Sequence, residues 1–584
     1  MSQSNRTLFA RINLWYVFVV VIFSVCLVRA FYLQVIRHDH YKSAALVGQH
    51  KEYEIPAERG AIRAYDGERV VPVVLSQTLY TVYADPTMIK DKDKTAEQIA
   101  TVIGGNSAEY RKAFDAEGRY SVLARKVERT KKEALLKLEL PGVGAQNQDY
   151  RTYPQGSLAA QLLGFVNNEG TPSYGIEQAL NETLAGESGE LNAVTDVDGV
   201  PLAASPDNIR KQPVAGKDVV LTIDVGMQAQ LEQLLKAGLD RAKSTQGSAI
   251  IMEANTGAIK AMANYPTYNP AEFYNVEDGS VFTNDAASMS LEIGSIMKPL
   301  TVAAALDTGA VRADSSFYDK RFIDIDDATV RNVEEDGGAR QKDVRDVLQY
   351  SLNTGATWLL QQMGGGELNA KGRTVWHDYM VNKYRFSKTT GIEQGYEDPG
   401  YVPSPTDGFG LNITYANTSF GQGMTATITQ VAGAFAAMLN GGTYYQPRLV
   451  AGTIDANGAL NKQEPKVLER NIVKSQVSKT VQSMMEYVVD HHRFSRKFDH
   501  ANYSVGGKTG TAQIADQQNG GYLDNEYNGT YAGFVGGDSA QYIIVVNVIK
   551  PKIPGYAGSQ AAQPLFGDIA HMLIDNYNVR RKSN

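Results

Sequence analysis

The chain has 584 residues, 43% of them hydrophobic and 21% charged, a globular composition too long for one ordinary domain, so two or three folded units are expected. Its 57 basic residues against 64 acidic ones leave a net charge of -7, and no basic block offers nucleic acid a surface, so nucleic acid is not expected as a partner. The single cysteine, Cys26, excludes an intramolecular disulfide and a cysteine-based metal site.

Between Arg11 and Arg29 every residue from Ile12 to Val28 is uncharged and most are apolar, and Ala30 to Ile36 prolongs the run past an arginine able to snorkel. The pattern predicts one transmembrane helix over residues 12–36. A cleaved signal peptide is the competing reading, but no small-x-small site follows, and Val25 stands where a lipoprotein anchor at Cys26 would need a small residue. Arg6 and Arg11 precede the span while Arg29, Arg37 and Lys42 follow it, so charge counting does not orient the helix.

Beyond the anchor, Asp66-Gly67 marks a turn, Val71 to Asp85 alternates as a strand, and Lys94 to Leu140 is charged and helix-prone. Residues 40–212 carry no catalytic constellation and read as a non-catalytic unit, with an independent ligand-binding domain as the alternative. The turn-rich stretch Gln212 to Lys217 closes it before the apolar run Val219 to Ile223. A helix from Met227 to Lys243 puts Leu231, Leu234, Leu235 and Leu239 on one face. Gly247 to Glu253 and Gly257 to Ala263 then read as a hairpin around Asn255-Thr256-Gly257.

Chemistry enters at Ser295-Ile296-Met297-Lys298. If a helix starts near Ser295, the hydroxyl and the amine share a face, and a partly desolvated lysine is the base that a serine nucleophile needs. Pro299 is tolerable only in a first turn, and Gly294 lets the backbone turn tightly. Two companions follow, Ser351-Leu352-Asn353 and Lys508-Thr509-Gly510-Thr511. Alone, the first could be a helix cap and the second a turn beside Gly506-Gly507.

The later segments are structural in pattern. Asn440-Gly441-Gly442 suggests a turn after an alanine-rich buried helix, and Gln517 to Gly529 suggests a mobile loop beside the cleft, with a hairpin as its alternative. Tyr531 to Gly536 and Gln541 to Ile549 read as strands, and Phe566 to Asn576 as a closing helix. His491-His492 lacks a matching ligand set and reads as an exposed helix end, so no metal is expected.

In that order, S-x-x-K, S-x-N and K-T-G resemble the motifs of the penicillin-binding protein and serine beta-lactamase superfamily. Gly421-Gln422-Gly423, Thr427 with Gln430, and Asn440-Gly441-Gly442 look like further elements of it. Leu33 to Ile36, Arg59-Gly60-Ala61-Ile62, Tyr153-Pro154, Leu163 to Val166 and Tyr174 to Gln178 resemble the start and pedestal of class B members. Ile293 departs from the pattern, which often has proline there. The resemblance implies an α/β transpeptidase domain of the beta-lactamase-like fold at 213–584, a mixed α/β pedestal at 40–212, a cytoplasmic tail at 1–11 and an extracytoplasmic catalytic part.

The same resemblance implies roles. Ser295 would attack the penultimate D-alanine carbonyl of a peptidoglycan stem peptide, with Lys298 as base, lowered in pKa by burial and by Lys508. Ser351 would relay a proton between the lysines and the leaving amine, Asn353 would hold Lys298 and the substrate amide, and Lys508 would supply positive charge. Thr509 and Thr511 would bind the terminal carboxylate, Gly510 would admit the substrate backbone, and the N-H groups of Ser295 and Thr511 would form the oxyanion hole. No cofactor is implied. Beta-lactams are implied as covalent ligands, and a polytopic lipid-linked glycan polymerase with other division proteins as partners, because no acidic glycosyltransferase motif precedes Ser295. The pedestal looks more like the septal, division-type branch than the elongation branch. A beta-lactamase, a beta-lactam sensor, or a silent division scaffold on the same fold are the alternatives.

Overall fold

The computed structural model describes residues 3–41, 50–194, 209–333, 337–455, 457–491, 498–515 and 521–583. Lys42, His492, residues 517–520 of the predicted loop, and pedestal residues 42–49 and 195–208 lie outside them. The chain forms two compact units, Met1–Arg59 with Ala185–Gly216, and Gly60–Leu184 with Lys217–Asn584.

In the first unit a helix over Gln3–Phe31 passes into a π-helical turn at Tyr32–Ile36. Within it, Leu14–Ile36 has a mean hydropathy of 2.4 and none of its apolar window is buried against protein. At 1.5 Å per residue this stretch is about 35 Å long, enough for the hydrocarbon core of a bilayer. The strands His50–Ile55, Gly189–Val194 and Ile209–Lys211 make an antiparallel three-stranded sheet.

The second unit contains a mixed sheet that joins distant parts of the sequence. Its strand Asp218–Asp224, almost wholly buried, runs parallel to Ile62–Asp66 and antiparallel to Val450–Ile454. Ile62–Asp66 pairs in turn with the long strand Arg69–Ala84, which is flanked by Ser121–Val127 and Val143–Thr152. The long strand matches the alternation read from Val71 to Asp85. The helical expectation over Lys94 to Leu140 is only partly met: Lys92–Ile103, Ser107–Ala113 and Arg129–Leu136 are helices, but Ser121–Val127 is a strand. That segment offers β-branched Val122 and Val127 to the long strand, and Val127 is buried opposite Tyr80; sheet pairing there overrides the charged composition.

The second sheet carries the chemistry. Its strands are β1 (Gln246–Glu253), β2 (Ile259–Tyr265), β3 (Ser504–Ala515), β4 (Tyr522–Gly536) and β5 (Ala540–Ile549), in the antiparallel order β2-β1-β5-β4-β3. Alternation along β1 and β5 sorts side chains onto two faces. Ala249, Ile251, Ile544 and Val546 meet helices α1 (Val225–Ala242) and α6 (Gln563–Asn576), where Leu231, Leu235, Leu239, Leu565 and Phe566 are buried. Ile250, Met252, Ile543 and Val545 turn to the other core, which holds α2 (Lys298–Asp307), α3 (Asn353–Gly364), α4 (Ile428–Leu439) and α5 (Ser475–Asp490).

The loop expected at Gln517 to Gly529 is corrected where it is described. Residues 522–529 extend β4, with Tyr527 opposite Gln513 and Gly529 opposite Thr511. The polar composition that suggested a loop belongs to the half-exposed end of a hairpin, the alternative reading.

Candidate active site

Gly294, at φ +63°, reverses the chain into a single 3-10 turn, Gly294–Met297, and α2 starts at Lys298 with Pro299 in its first turn. Ser295 therefore stands at the mouth of a buried helix. Lys298 is fully buried, and its Nζ lies 3.0 Å from Ser295 Oγ, 3.1 Å from Ser351 Oγ, 2.8 Å from Asn353 Oδ1 and 2.5 Å from Ser351 O. Burial, then the nearby charge of Lys508, holds its pKa well below the ordinary lysine value.

The neighbours dictate how a neutral amine sits. Ser351 O and Asn353 Oδ1 are acceptors only, and Asn353 is oriented by donating Nδ2 to Arg331 O at 3.0 Å. A neutral lysine has two N-H groups and one lone pair, so the acceptors take both hydrogens. The lone pair is left to the hydroxyls of Ser295 and Ser351.

Ser351 has φ +53°, uncommon for a residue with a side chain. The N-cap of α3 is Leu352, with no side-chain capping bond, so the helix-cap alternative fails and both polar side chains of S-x-N are free to face Lys298. The turn alternative for Lys508 fails too, because Lys508-Thr509-Gly510 lies within β3, an edge strand of its sheet.

Lys508 is 3% exposed and burial draws its pKa down to about 7. Its Nζ donates to Thr509 O at 3.0 Å and Thr509 Oγ1 at 3.3 Å. Among the described residues its side-chain hydrogen bonds thus go to Thr509, and the expected relay between the two lysines through Ser351 is closed only on the Lys298 side. Thr511 Oγ1 accepts from the Gly558 N-H at 3.0 Å, which leaves its own hydrogen for another acceptor.

Gly510 has a further reason that the sequence does not show. A Cβ there would lie 2.2 Å from Thr530 Oγ1, 2.7 Å from Ile293 O and 3.1 Å from Ile296 Cγ2. The missing side chain makes room for the nucleophile's own turn. Gly421 does the same from the opposite wall: its carbonyl oxygen accepts from Gly294 N at 3.0 Å, and a Cβ would sit 2.1 Å from Gly294 O. Thr427 and Gln430 form a capping box on α4, and Gln430 Nε2 also donates to Lys388 O and Pro399 O. Asn440 ties the turn after α4 to Ala254 O. His491 ends α5, exposed and stacked on Tyr487.

Ser295, Ser351, Asn353, Lys508, Thr509 and Thr511 all open onto one cleft of about 650 Å³. The sequence reading missed other walls of this cleft: Tyr350, Phe420, Gln513, Tyr527 and Tyr556. Gln513 and Tyr527 were legible in principle, since period two carries the cleft-facing side of β3 from Thr509 and Thr511 to Gln513. Tyr556 carries no local signal.

Residues 247–571 match the family described as Penicillin binding protein transpeptidase domain, and residues 54–221 match Penicillin-binding Protein dimerisation domain. The chain belongs to the penicillin-binding protein transpeptidase family. It is 29% identical to Penicillin-binding protein PbpB of Mycobacterium tuberculosis, over 96% of this chain and 84% of the relative. With the probable peptidoglycan D,D-transpeptidase PenA of Neisseria meningitidis serogroup A it shares 26% identity over 96% of this chain and 91% of the relative. A crystal structure of Penicillin binding protein 3 from M. tuberculosis complexed with aztreonam superposes with a TM-score of 0.67 at 24% identity, covering 91% of this chain and 98% of that one; at that identity the likeness speaks for the fold.

Proposed function

We propose that this chain is a membrane-anchored peptidoglycan D,D-transpeptidase that works through an acyl-enzyme on Ser295. The observation that carries the reading is the buried Lys298, its pKa held well below the ordinary lysine value, with Nζ 3.0 Å from Ser295 Oγ. Lys298 takes the proton as Ser295 Oγ bonds to the penultimate D-alanine carbonyl carbon. The backbone N-H groups of Ser295 and Thr511 hold the oxyanion, a role supported by the packing of Gly294 against the Thr511 backbone. Ser351, 3.1 Å from Lys298 Nζ, passes the proton to the departing D-alanine nitrogen as the peptide C-N bond breaks. The amine of a second stem peptide then attacks the ester, and the same groups run in reverse. Lys508, Thr509 and Thr511 receive the terminal carboxylate, and Asn353 receives the substrate amide. Beta-lactams, which present a strained amide to the same site, acylate Ser295 and block it.

On the family resemblance, the tail at 1–11 lies in the cytoplasm, the anchor at 12–36 spans the membrane, and the pedestal at 40–212 and catalytic domain at 213–584 lie outside the cytoplasm. We assign the chain to the division-type branch, on the look of the pedestal. Glycan polymerisation falls to a polytopic lipid-linked polymerase that meets the anchor and pedestal, with other division proteins.

Intact mass after incubation of the ectodomain with a penicillin, beside Ser295→Ala, tests the chemistry. A lasting adduct on wild type only is the expected result. Hydrolysis of the drug without accumulation points to a lactamase, and no reaction by folded protein points to a silent scaffold.

A further inference from the structure

Glu292 lies three residues before the nucleophile and is absorbed by none of the roles above. Its surroundings are built. Oε1 accepts from the Gly423 N-H at 2.8 Å and from the Tyr522 hydroxyl at 3.0 Å, and Oε2 lies 3.2 Å from the same hydroxyl. Gly423 belongs to the Gly421-Gln422-Gly423 wall of the cleft, and Tyr522 opens β4, opposite Ala515 at the end of β3. One carboxylate therefore touches the segment bearing Ser295, the glycine wall and the hairpin bearing Lys508.

The neighbouring bonds show what this junction holds. Leu291 exchanges two backbone hydrogen bonds with Ala426, at 3.0 and 2.9 Å, and Gly294 N donates to Gly421 O. On the other side Thr530 Oγ1 donates to Ile293 O at 3.0 Å. The backbone is thus pinned on both sides of Glu292. The carboxylate supplies the tie that runs from one wall to the other, and Tyr522 is the only side chain that brings the open end of the hairpin to it among the described residues.

We propose that Glu292 is a positioning residue for acylation and that Tyr522 acts through it, together setting the Ser295 turn against the K-T-G hairpin. The inference rests on the reading of Ser295 as the nucleophile. Partial burial of Glu292 raises its pKa, opposed by the Gly423 and Tyr522 donors, as it would for a carboxylate retained for its hydrogen bonds. A glutamine keeps an acceptor oxygen for both donors, whereas alanine removes it and leaves the Gly423 N-H without that partner.

The test separates binding from chemistry. Stopped-flow acylation by a chromogenic cephalosporin over a range of concentrations gives a dissociation constant and an acylation rate constant for wild type, Glu292→Ala, Glu292→Gln, Tyr522→Phe and the Glu292→Ala/Tyr522→Phe double variant. Glu292→Ala is expected to lower the acylation constant about tenfold and Tyr522→Phe about threefold, with dissociation constants within about twofold. Glu292→Gln recovers most of the loss, and the double variant is no slower than Glu292→Ala. The proposal is overturned if Tyr522→Phe acylates at the wild-type rate, if it slows the alanine variant as much as it slows wild type, or if the losses lie wholly in the dissociation constant. Should Glu292→Ala fail to fold, Tyr522→Phe and Glu292→Gln alone still decide. Wild-type acylation with silence of Ser295→Ala keeps the underlying reading apart: if wild type does not acylate, that reading falls and not this one alone.

Discussion

At the scale of residues the site is a problem of proton placement among buried amines. Lys298 is useful only while neutral, and arginine, whose guanidinium stays charged in proteins, cannot replace it. Lys298→Arg is expected to lose acylation by about a thousandfold or more, the size of a general-base contribution, in a drug-labelling time course on protein of unchanged circular dichroism. The pH dependence follows from the two shifts. Acylation rises with pH as Lys298 gives up its proton, far below the ordinary lysine range, and falls as Lys508 loses its charge near pH 7. The profile is therefore a bell, and Lys508→Arg, which keeps the charge, removes the descending limb; a flat wild-type profile from pH 5 to 9 refutes the assignment. The motif residues were legible in the sequence because their chemistry is carried by side-chain type and spacing. Gly510 was legible as a required glycine, but its packing reason was not. What fills the space beside it, Thr530 and Ile293, comes from segments 20 residues downstream and more than 200 upstream, and no local pattern reports them.

Elements decide how tightly those residues are held. The Ser295 turn is wedged between the glycine wall and β3, and both wedges depend on missing side chains. Gly421 combines φ +85° with a Cβ position 2.1 Å from a backbone oxygen of Gly294, so strain and overlap fall on the same atom, and neither is relieved by a flexible side chain. Gly421→Ala is expected to cost about 2 kcal/mol or more of stability and to slow acylation more than it weakens drug binding, read by thermal melts and the same labelling assay. A variant as stable and as fast as wild type would show that the turn is free to move. Element types followed from periodicity where the pattern was strong, as in α1, β1, β5 and the alanine-rich α4. They failed where composition and pairing disagree. The tyrosine-, asparagine- and glycine-rich start of β4 looks like a loop until its partner β3 is known, and Ser121–Val127 looks like part of a charged helical region until the long strand beside it is seen.

Over the whole molecule, the boundary read near Gln212 falls beside the end of the first compact unit at Gly216, yet residues 60–184, before it in sequence, share the second unit with everything after Lys217. Asp218–Asp224 follows that boundary, yet it is hydrogen-bonded on one side to Ile62–Asp66 and on the other to Val450–Ile454. The Ala159 N-H and the half-buried Glu232 are also partners at 2.8 Å, and Gln161 donates to Pro266 O. Pairings across some 157 residues of sequence leave no trace in local composition, which is why the sequence shows the turn-rich stretch before Asp218 but not the sheet that Asp218–Asp224 shares with Ile62–Asp66. Removing residues 1–216 would strip one side of Asp218–Asp224 and open an edge bearing Val219, Val220, Leu221 and Ile223, all buried in the whole chain. An apolar unpaired edge seeks another chain, and Glu232, whose pKa burial already raises, would lose its Ala159 donor. Residues 217–584 alone are therefore expected to aggregate or to melt well below residues 50–584, by size-exclusion chromatography and calorimetry, and any soluble fraction should acylate more slowly. A monomeric fragment with the melting temperature and acylation rate of the longer ectodomain would mean that the catalytic half is self-sufficient and that the shared sheet is only a contact surface. The expected failure would instead make the pedestal a structural part of the enzyme, so that a force or partner acting on residues 60–184 reaches the catalytic core through paired backbone.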